Sequence, residues 1–112
     1  MPLSKSEVMY GTLDLLVLKT LETLGPQHGY AIARRIEQVS RETLRLNQGT
    51  LYPALIRLEN GGWIRSKWGT TDSNRQARYY SISKSGRKRL QLESQEWEHM
   101  SEIINRVLQG SF

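Results

Sequence analysis

Hydrophobic side chains recur at intervals of three and four from residue 12 to residue 24, at Leu13, Leu16, Val17, Leu21 and Leu24. That is the period of a helix with one apolar face. Gly25-Pro26 stops it, because proline cannot continue a helix and glycine suits its left-handed cap. A second helix is predicted from Gly29 to about Val39. Tyr30, Ile32, Ala33, Ile36 and Val39 make its apolar side, and Arg34, Arg35, Glu37 and Gln38 its wet side. Thr43-Leu44-Arg45-Leu46 alternates and predicts a very short strand. Asn47 then suits the cap of a third helix. That helix turns Leu51, Leu55 and Leu58 inward, with Ile56 a further candidate, and Asn60-Gly61-Gly62 ends it. Pro53 leaves two starts open, because proline is tolerated only in the first turn. Either the regular helix begins near Thr50, or it begins near Gln48 and distorts at Pro53.

The pattern then changes. Trp63–Trp68 and Ala77–Ile82 are rich in strand formers and flank the polar stretch Gly69–Gln76, which predicts a β-hairpin. Trp63 and Ile64 are expected to close the core beneath it, while Trp68 suits either the core or a partner surface. Ser83 or Ser85 can cap a last helix running to about Gln109, with Gly110-Ser111-Phe112 fraying beyond it. In that helix Leu90, Trp97 and Ile104 stand seven apart, as do Met100 and Val107 on the neighbouring row. Ile103 and Leu108 widen the stripe and Glu93 interrupts it, giving a coiled-coil-like seam of about two heptads. The seam either folds back on the first helix or pairs with a second copy. Pairing is favoured, because closed two-fold dimers are the commonest oligomers. The fold class is therefore mostly α with a small β-hairpin, a winged helix-turn-helix plus one long C-terminal dimerisation helix. Residues 1–83 are expected to form the winged helix-turn-helix domain and residues 84–112 the dimerisation helix.

Composition narrows the choice of chemistry. The 112 residues suit one domain. No apolar run is long enough to suggest a membrane span, and the start lacks the order of a signal peptide. The absence of cysteine rules out disulfides, thiolate metal sites and a cysteine nucleophile, and points to a reducing cytoplasm. His28 and His99 are far apart, and no Gly-rich phosphate loop is present. Neither a metal, a cofactor nor an enzyme activity is expected. His28 reads instead as a cap or buttress of the second helix. The net charge of +5 is concentrated: residues 65–89 carry eight basic side chains against Asp72 alone. Such a block suits a polyanion, nucleic acid first.

The flanking elements give that block a use. A helix about 10–12 Å across fits a major groove about 12 Å wide. Polar groups at its N-terminus can reach base edges, and the helix dipole there favours phosphate. Gln48, Thr50 and Tyr52, with Asn47 beside them, supply that set, and Arg57 lies one or two turns later. The hairpin loop offers Thr70, Thr71, Ser73, Asn74 and Arg75 for phosphates or an adjacent minor groove. Arg87, Lys88 and Arg89 either solvate the start of the last helix or face phosphate.

The segments GTLDLLVLKTLETLGPQHGYAIARRIE, LNQGTLYPALIRLENGGWI and RYYSISKSGRKRL resemble the PadR family of bacterial transcriptional regulators. The likeness covers about residues 9–90, and the short tail is similar to the small subfamily with one dimerising helix. The resemblance implies a homodimeric winged-helix repressor. It places Gln48, Thr50 and Tyr52 on the reading helix, Asn74, Arg75 and Arg78 on the wing, and Tyr30, within His28-Gly29-Tyr30, at a phosphate-side position. Ser83 stands where the family more often has Thr, and Asn60 where an acidic residue is usual. Some small members hold flat aromatic compounds between two-fold related tail helices with a tryptophan, and Trp97 resembles it in placement. The expected partners are double-stranded DNA carrying an inverted-repeat operator, a second copy of the chain and a small aromatic effector, with no membrane. The rivals are a non-specific nucleoid or RNA-associated basic protein and a protein-interaction adaptor.

Overall fold

A computed structural model describes residues 12–110. Its elements run α1 (Leu13–Leu24), β1 (Gln27–His28), α2 (Gly29–Val39), α3 (Gln48–Asn60), β2 (Ile64–Thr70), β3 (Gln76–Ile82) and α4 (Lys84–Gln109). Predicted and observed helix ends agree closely. The expected fraying at Ser111 and Phe112 lies outside the described residues. Gly110 caps α4 in the left-handed conformation (φ 72°), donating its N–H to the carbonyls of Arg106 and Val107.

α1 is the central helix and touches α2, α3, α4 and β3. Because it is covered on several sides, its apolar stripe is wider than one helical face. Leu18, outside the predicted stripe, is fully enclosed with Val17 and Leu21, whereas Leu16 is half-buried and Leu24 exposed. Ile32, Ala33 and Ile36 of α2 and Leu51, Ala54, Leu55 and Leu58 of α3 complete the helical core. Tyr30 and Val39, placed on the apolar side of α2 by periodicity, are exposed, and so is Ile56 of α3.

The strand expected at Thr43–Leu46 does not form. Arg41 and Glu42 take left-handed backbone angles (φ 56° and 63°) and turn the chain tightly after α2. The backbone donors that a strand would pair are used locally. Leu44 N–H donates to the Ser40 hydroxyl at 3.0 Å and Leu46 N–H to a Glu37 carboxylate oxygen at 3.0 Å. Glu37, expected on the wet face, therefore fastens the turn of the helix-turn-helix from within.

A third strand lies elsewhere. Gln27 and His28 pair antiparallel with Tyr80 and Tyr79, giving the sheet order β1-β3-β2. The hairpin ladder runs from Ile64↔Ile82 to Thr70↔Gln76, so the wing loop is only residues 71–75. Ile64 and Tyr80 face the core, and Trp63 packs half-buried at its edge, whereas Trp68 is exposed. The start of α4 belongs to the same unit. The Ser83 hydroxyl accepts from Gly86 N–H at 3.1 Å and donates to the Gly62 carbonyl at 2.7 Å, so Ser83 and not Ser85 is the cap. A Cβ at Gly86 would stand 2.1 Å from the Trp63 carbonyl oxygen, so only glycine permits this approach.

Candidate nucleic-acid interface

Two helix N-termini meet on one face of the molecule. Asn47 caps α3: its side-chain oxygen accepts from Thr50 N–H at 2.9 Å, and the Thr50 hydroxyl donates to it at 3.1 Å. His28 caps α2, its Nδ1 accepting from Ala31 N–H at 3.2 Å. The expected cap roles of Asn47 and His28 are both present. α3 starts at Gln48 and carries Pro53 inside it, which settles the two starts the sequence left open. Gln48 lies against Gly29, where an added Cβ would stand 3.5 Å from its side-chain oxygen.

Three shallow clefts meet at exposed Tyr30. The first, of about 280 Å³, is bordered by His28, Gln48, Tyr52, Arg78 and Tyr80. The second, along the wing, is bordered by Thr71, Ser73 and Arg75. The third is bordered by Arg34, Asn47 and Gln48. Five of the predicted contact residues, Tyr30, Gln48, Tyr52, Arg75 and Arg78, thus border one continuous concave face. Thr50 sits beside it in the first turn of α3 and Asn74 at the wing tip between Ser73 and Arg75. Burial raises the Tyr80 pKa, and neighbouring Tyr52 and Glu59 add to the effect.

The wing tip is ordered by its own backbone. Thr71 N–H donates to Arg75 C=O at 2.8 Å, Asn74 N–H donates to Thr71 C=O at 2.8 Å, and Asn74 takes the left-handed conformation (φ 62°) that Asn tolerates. Arg75 is exposed and makes no ion pair among the described residues. Arg78, with its side chain 40% exposed, is tied to partners of its own fold. Its Nε donates to the Ser66 hydroxyl at 3.0 Å, Glu59 lies 3.7 Å away, and its guanidinium stands 5.4 Å from the Trp68 ring. Arg57 is also engaged, donating to Asp14 at 2.7 Å on the α1 side of the domain. Arg89 bonds Asp14 and Glu93 and stacks over Trp63. Of the eight basic side chains in the 65–89 block, Arg78 and Arg89 are therefore neutralised locally. Arg65, Lys67, Arg75, Lys84, Arg87 and Lys88 remain exposed.

Sequence reasoning missed the Glu59–Ser66–Arg78 cluster and the Asp14 pairings. Their members are distant in the chain, and no local pattern announces them. Leu90, read as part of the seam, is instead buried in the chain's own core. The exposed apolar stripe of α4 consists of Leu92, Trp97, Met100, Ile103, Ile104, Val107 and Leu108. No helix of the described residues is long and apolar enough to cross a membrane.

A helix-turn-helix whose second helix presents a capped polar N-terminus beside a β-wing defines a winged-helix DNA-binding protein. The model of the Transcriptional regulator PadR-like family matches residues 17–92, and the chain belongs to that family. It is a DNA-binding transcription regulator by fold and family. A transcriptional regulator from Clostridium thermocellum superposes with a TM-score of 0.81 at 33% identity, over 90% of this chain and 97% of that one. A PadR family transcription regulator from Clostridium difficile does so with 0.74 at 30% identity, over 88% and 99%. An uncharacterized protein of Lysinibacillus sphaericus is 26% identical over 95% of this chain and 96% of its own length.

Proposed function

We propose that the chain is a homodimeric repressor that binds an inverted-repeat operator and blocks access of polymerase to the promoter. Gln48, Thr50 and Tyr52 read base edges in the major groove. Tyr30, Asn74 and Arg75 hold flanking phosphates, and Arg78 shapes the wing base beside them. The observation that carries this reading is the meeting of the α3 N-terminus and the wing around Tyr30. Residues 1–83 serve DNA and residues 84–112 serve dimerisation, with the first two turns of α4 shared by both through Leu90. The seam of Trp97, Met100, Ile103, Ile104, Val107 and Leu108 is exposed in the single chain, which supports pairing with a second copy. Trp97 and its two-fold mate then stand near the axis, where an aromatic pair can stack a small planar effector. Such an effector regulates only if it binds one dimer geometry better than another.

The test is binding to genomic DNA fragments, including the region upstream of its own gene, at two salt concentrations. The expected result is a selective shift at two protomers per site, weakened by salt with a log–log slope of about −0.9 per phosphate contacted. Equal weak binding to every fragment overturns the reading in favour of a non-specific nucleic-acid binder, which the exposed basic side chains of β2 and early α4 would serve. A folded dimer that binds no fragment points to an adaptor.

A further inference from the structure

Asp14 lies where three helices meet, and its two carboxylate oxygens serve different ones. Oδ1 accepts from Arg57 Nη2 of α3 at 2.7 Å. Oδ2 accepts from Arg89 Nη2 of α4 at 3.2 Å. The Asp14 side chain itself is mostly buried, at 17% exposed. The α4 arm of this bridge has further partners. Arg89 also donates through Nε to Glu93 at 2.7 Å, and its guanidinium stacks 4.1 Å above the Trp63 ring. The α3 arm is different: Arg57 is 59% exposed, and Asp14 is its sole ion-pair partner among the described residues. α3 packs on α1 and α1 packs on α4, so Asp14 of α1 sits at the crossing.

We propose that Asp14 is a positioning residue, which ties the reading helix α3 to α4 through Arg57 and Arg89 and so sets the spacing of DNA half-sites the dimer accepts. The inference rests on the dimeric, DNA-reading function proposed above. If α4 carries the two-fold seam, the separation of two α3 helices depends on the angle each makes with its own α4. The packed core sets that angle through the interlocking of α1 with α3 and α4. A carboxylate with one oxygen on each guanidinium adds direction. An exposed arginine contributes little to stability in such a pair, so the consequence falls on geometry rather than on folding. Without the carboxylate, Arg89 keeps Glu93 and Trp63, while Arg57 is released and faces a like charge. Arg57 thereby acquires a role inside the protomer in place of the phosphate or base contact its position in the sequence suggests.

The test measures orientation and spacing separately. The chain has no cysteine, so Ile56→Cys on α3 and Glu98→Cys on α4 are the only spin-label sites, and labelled chains are diluted with unlabelled ones. The Ile56–Glu98 distance distribution within one chain is expected to be narrow with Asp14 present and about twofold broader in Asp14→Asn. An unchanged width overturns the proposal, whether or not the protein dimerises or binds DNA. The second measurement selects operators from random duplexes and then varies the separation of the half-sites. The parent protein is expected to prefer its best spacing over a shifted one by about tenfold, and Asp14→Asn to discriminate by about twofold or less. Arg57→Gln, at an exposed position, is expected to flatten the preference in the same way and serves where Asp14→Asn does not fold. Equal loss at every spacing, with the preference intact, makes Arg57 a simple DNA contact and Asp14 a structural residue, and overturns the proposal. A parent protein that selects no duplex defeats the functional reading instead, and the distance measurement alone then decides the tie.

Discussion

α3 and distal α4 both carry apolar stripes at the helical period, with opposite fates. Leu51, Ala54, Leu55 and Leu58 of α3 are wholly buried, each at 0% exposure. Trp97, Met100, Ile103, Ile104, Val107 and Leu108 of α4 are all exposed, Leu108 to 79%. Both stripes obey the helical period, and both helices start at a side-chain cap, Asn47 or Ser83. Periodicity therefore identifies which face of a helix wants cover and says nothing of what covers it. For α3 the cover is α1, α2 and the sheet. For α4 it changes partway along: Leu90 is claimed by the domain core, and every large apolar residue beyond it lies open. The uncovered length is what a second copy would bury.

The largest effect should come from the covered stripe. Leu55→Ala removes a fully enclosed side chain at the crossing of the helices. It should cost about 3 kcal/mol by transfer and cavity terms together. Urea unfolding should show a lower midpoint with an unchanged slope. A loss below about 1 kcal/mol would mean that the site collapses around the gap and that the two stripes differ less than their burial suggests.

Next comes the uncovered stripe. Ile104→Asp should leave the folded protomer intact, since Ile104 touches no core. It should weaken dimerisation by about 2 kcal/mol per protomer or more, the worth of burying one isoleucine. The diagnostic is concentration dependence. The parent's unfolding midpoint should rise with protein concentration, as linkage to a dimer demands, and the variant's should not. A parent midpoint independent of concentration, in a chain that sediments as a monomer, would break the comparison by showing that nothing covers α4.

Much of this contrast was legible in the sequence. The four helices and the hairpin follow from period and punctuation, and Asn47 and His28 were recognisable as caps because capping is a local, short-range interaction. The failures share a different physics. β1 is only two residues, and Gln27-His28 becomes a strand because Tyr79 and Tyr80 lie alongside it, not because of its own propensity. Thr43–Leu46 has a strand pattern and is not one, because Ser40 and Glu37 side chains take its donors. Leu18 is buried because α1 has neighbours on several sides. The site was half legible. Gln48, Tyr52 and the wing residues follow from the motif, whereas the commitments of Arg57 to Asp14 and of Arg78 to Glu59 join residues far apart in the chain. A basic residue looks equally free in a sequence whether or not the fold supplies its carboxylate.

The smallest effect separates the cap of α3 from its contact with DNA. Asn47 is exposed, yet its side-chain oxygen serves Thr50 N–H at 2.9 Å, and it borders the face shared with Tyr30 and Gln48. Asn47→Ala should cost about 1 kcal/mol in stability, the usual worth of a lost cap. Asn47→Asp keeps a good capping oxygen, so its stability should stay within about 0.5 kcal/mol of the parent. Yet it places a negative charge where the proposed complex brings phosphates, so DNA affinity should fall with stability almost unchanged. Thermal unfolding and fragment binding on the same two variants read the two roles apart. If Asn47→Asp binds DNA as the parent does, the α3 N-terminus lies away from the phosphates. Asn47 would then serve only as the cap, and the phosphate contacts would fall to Tyr30 and the wing.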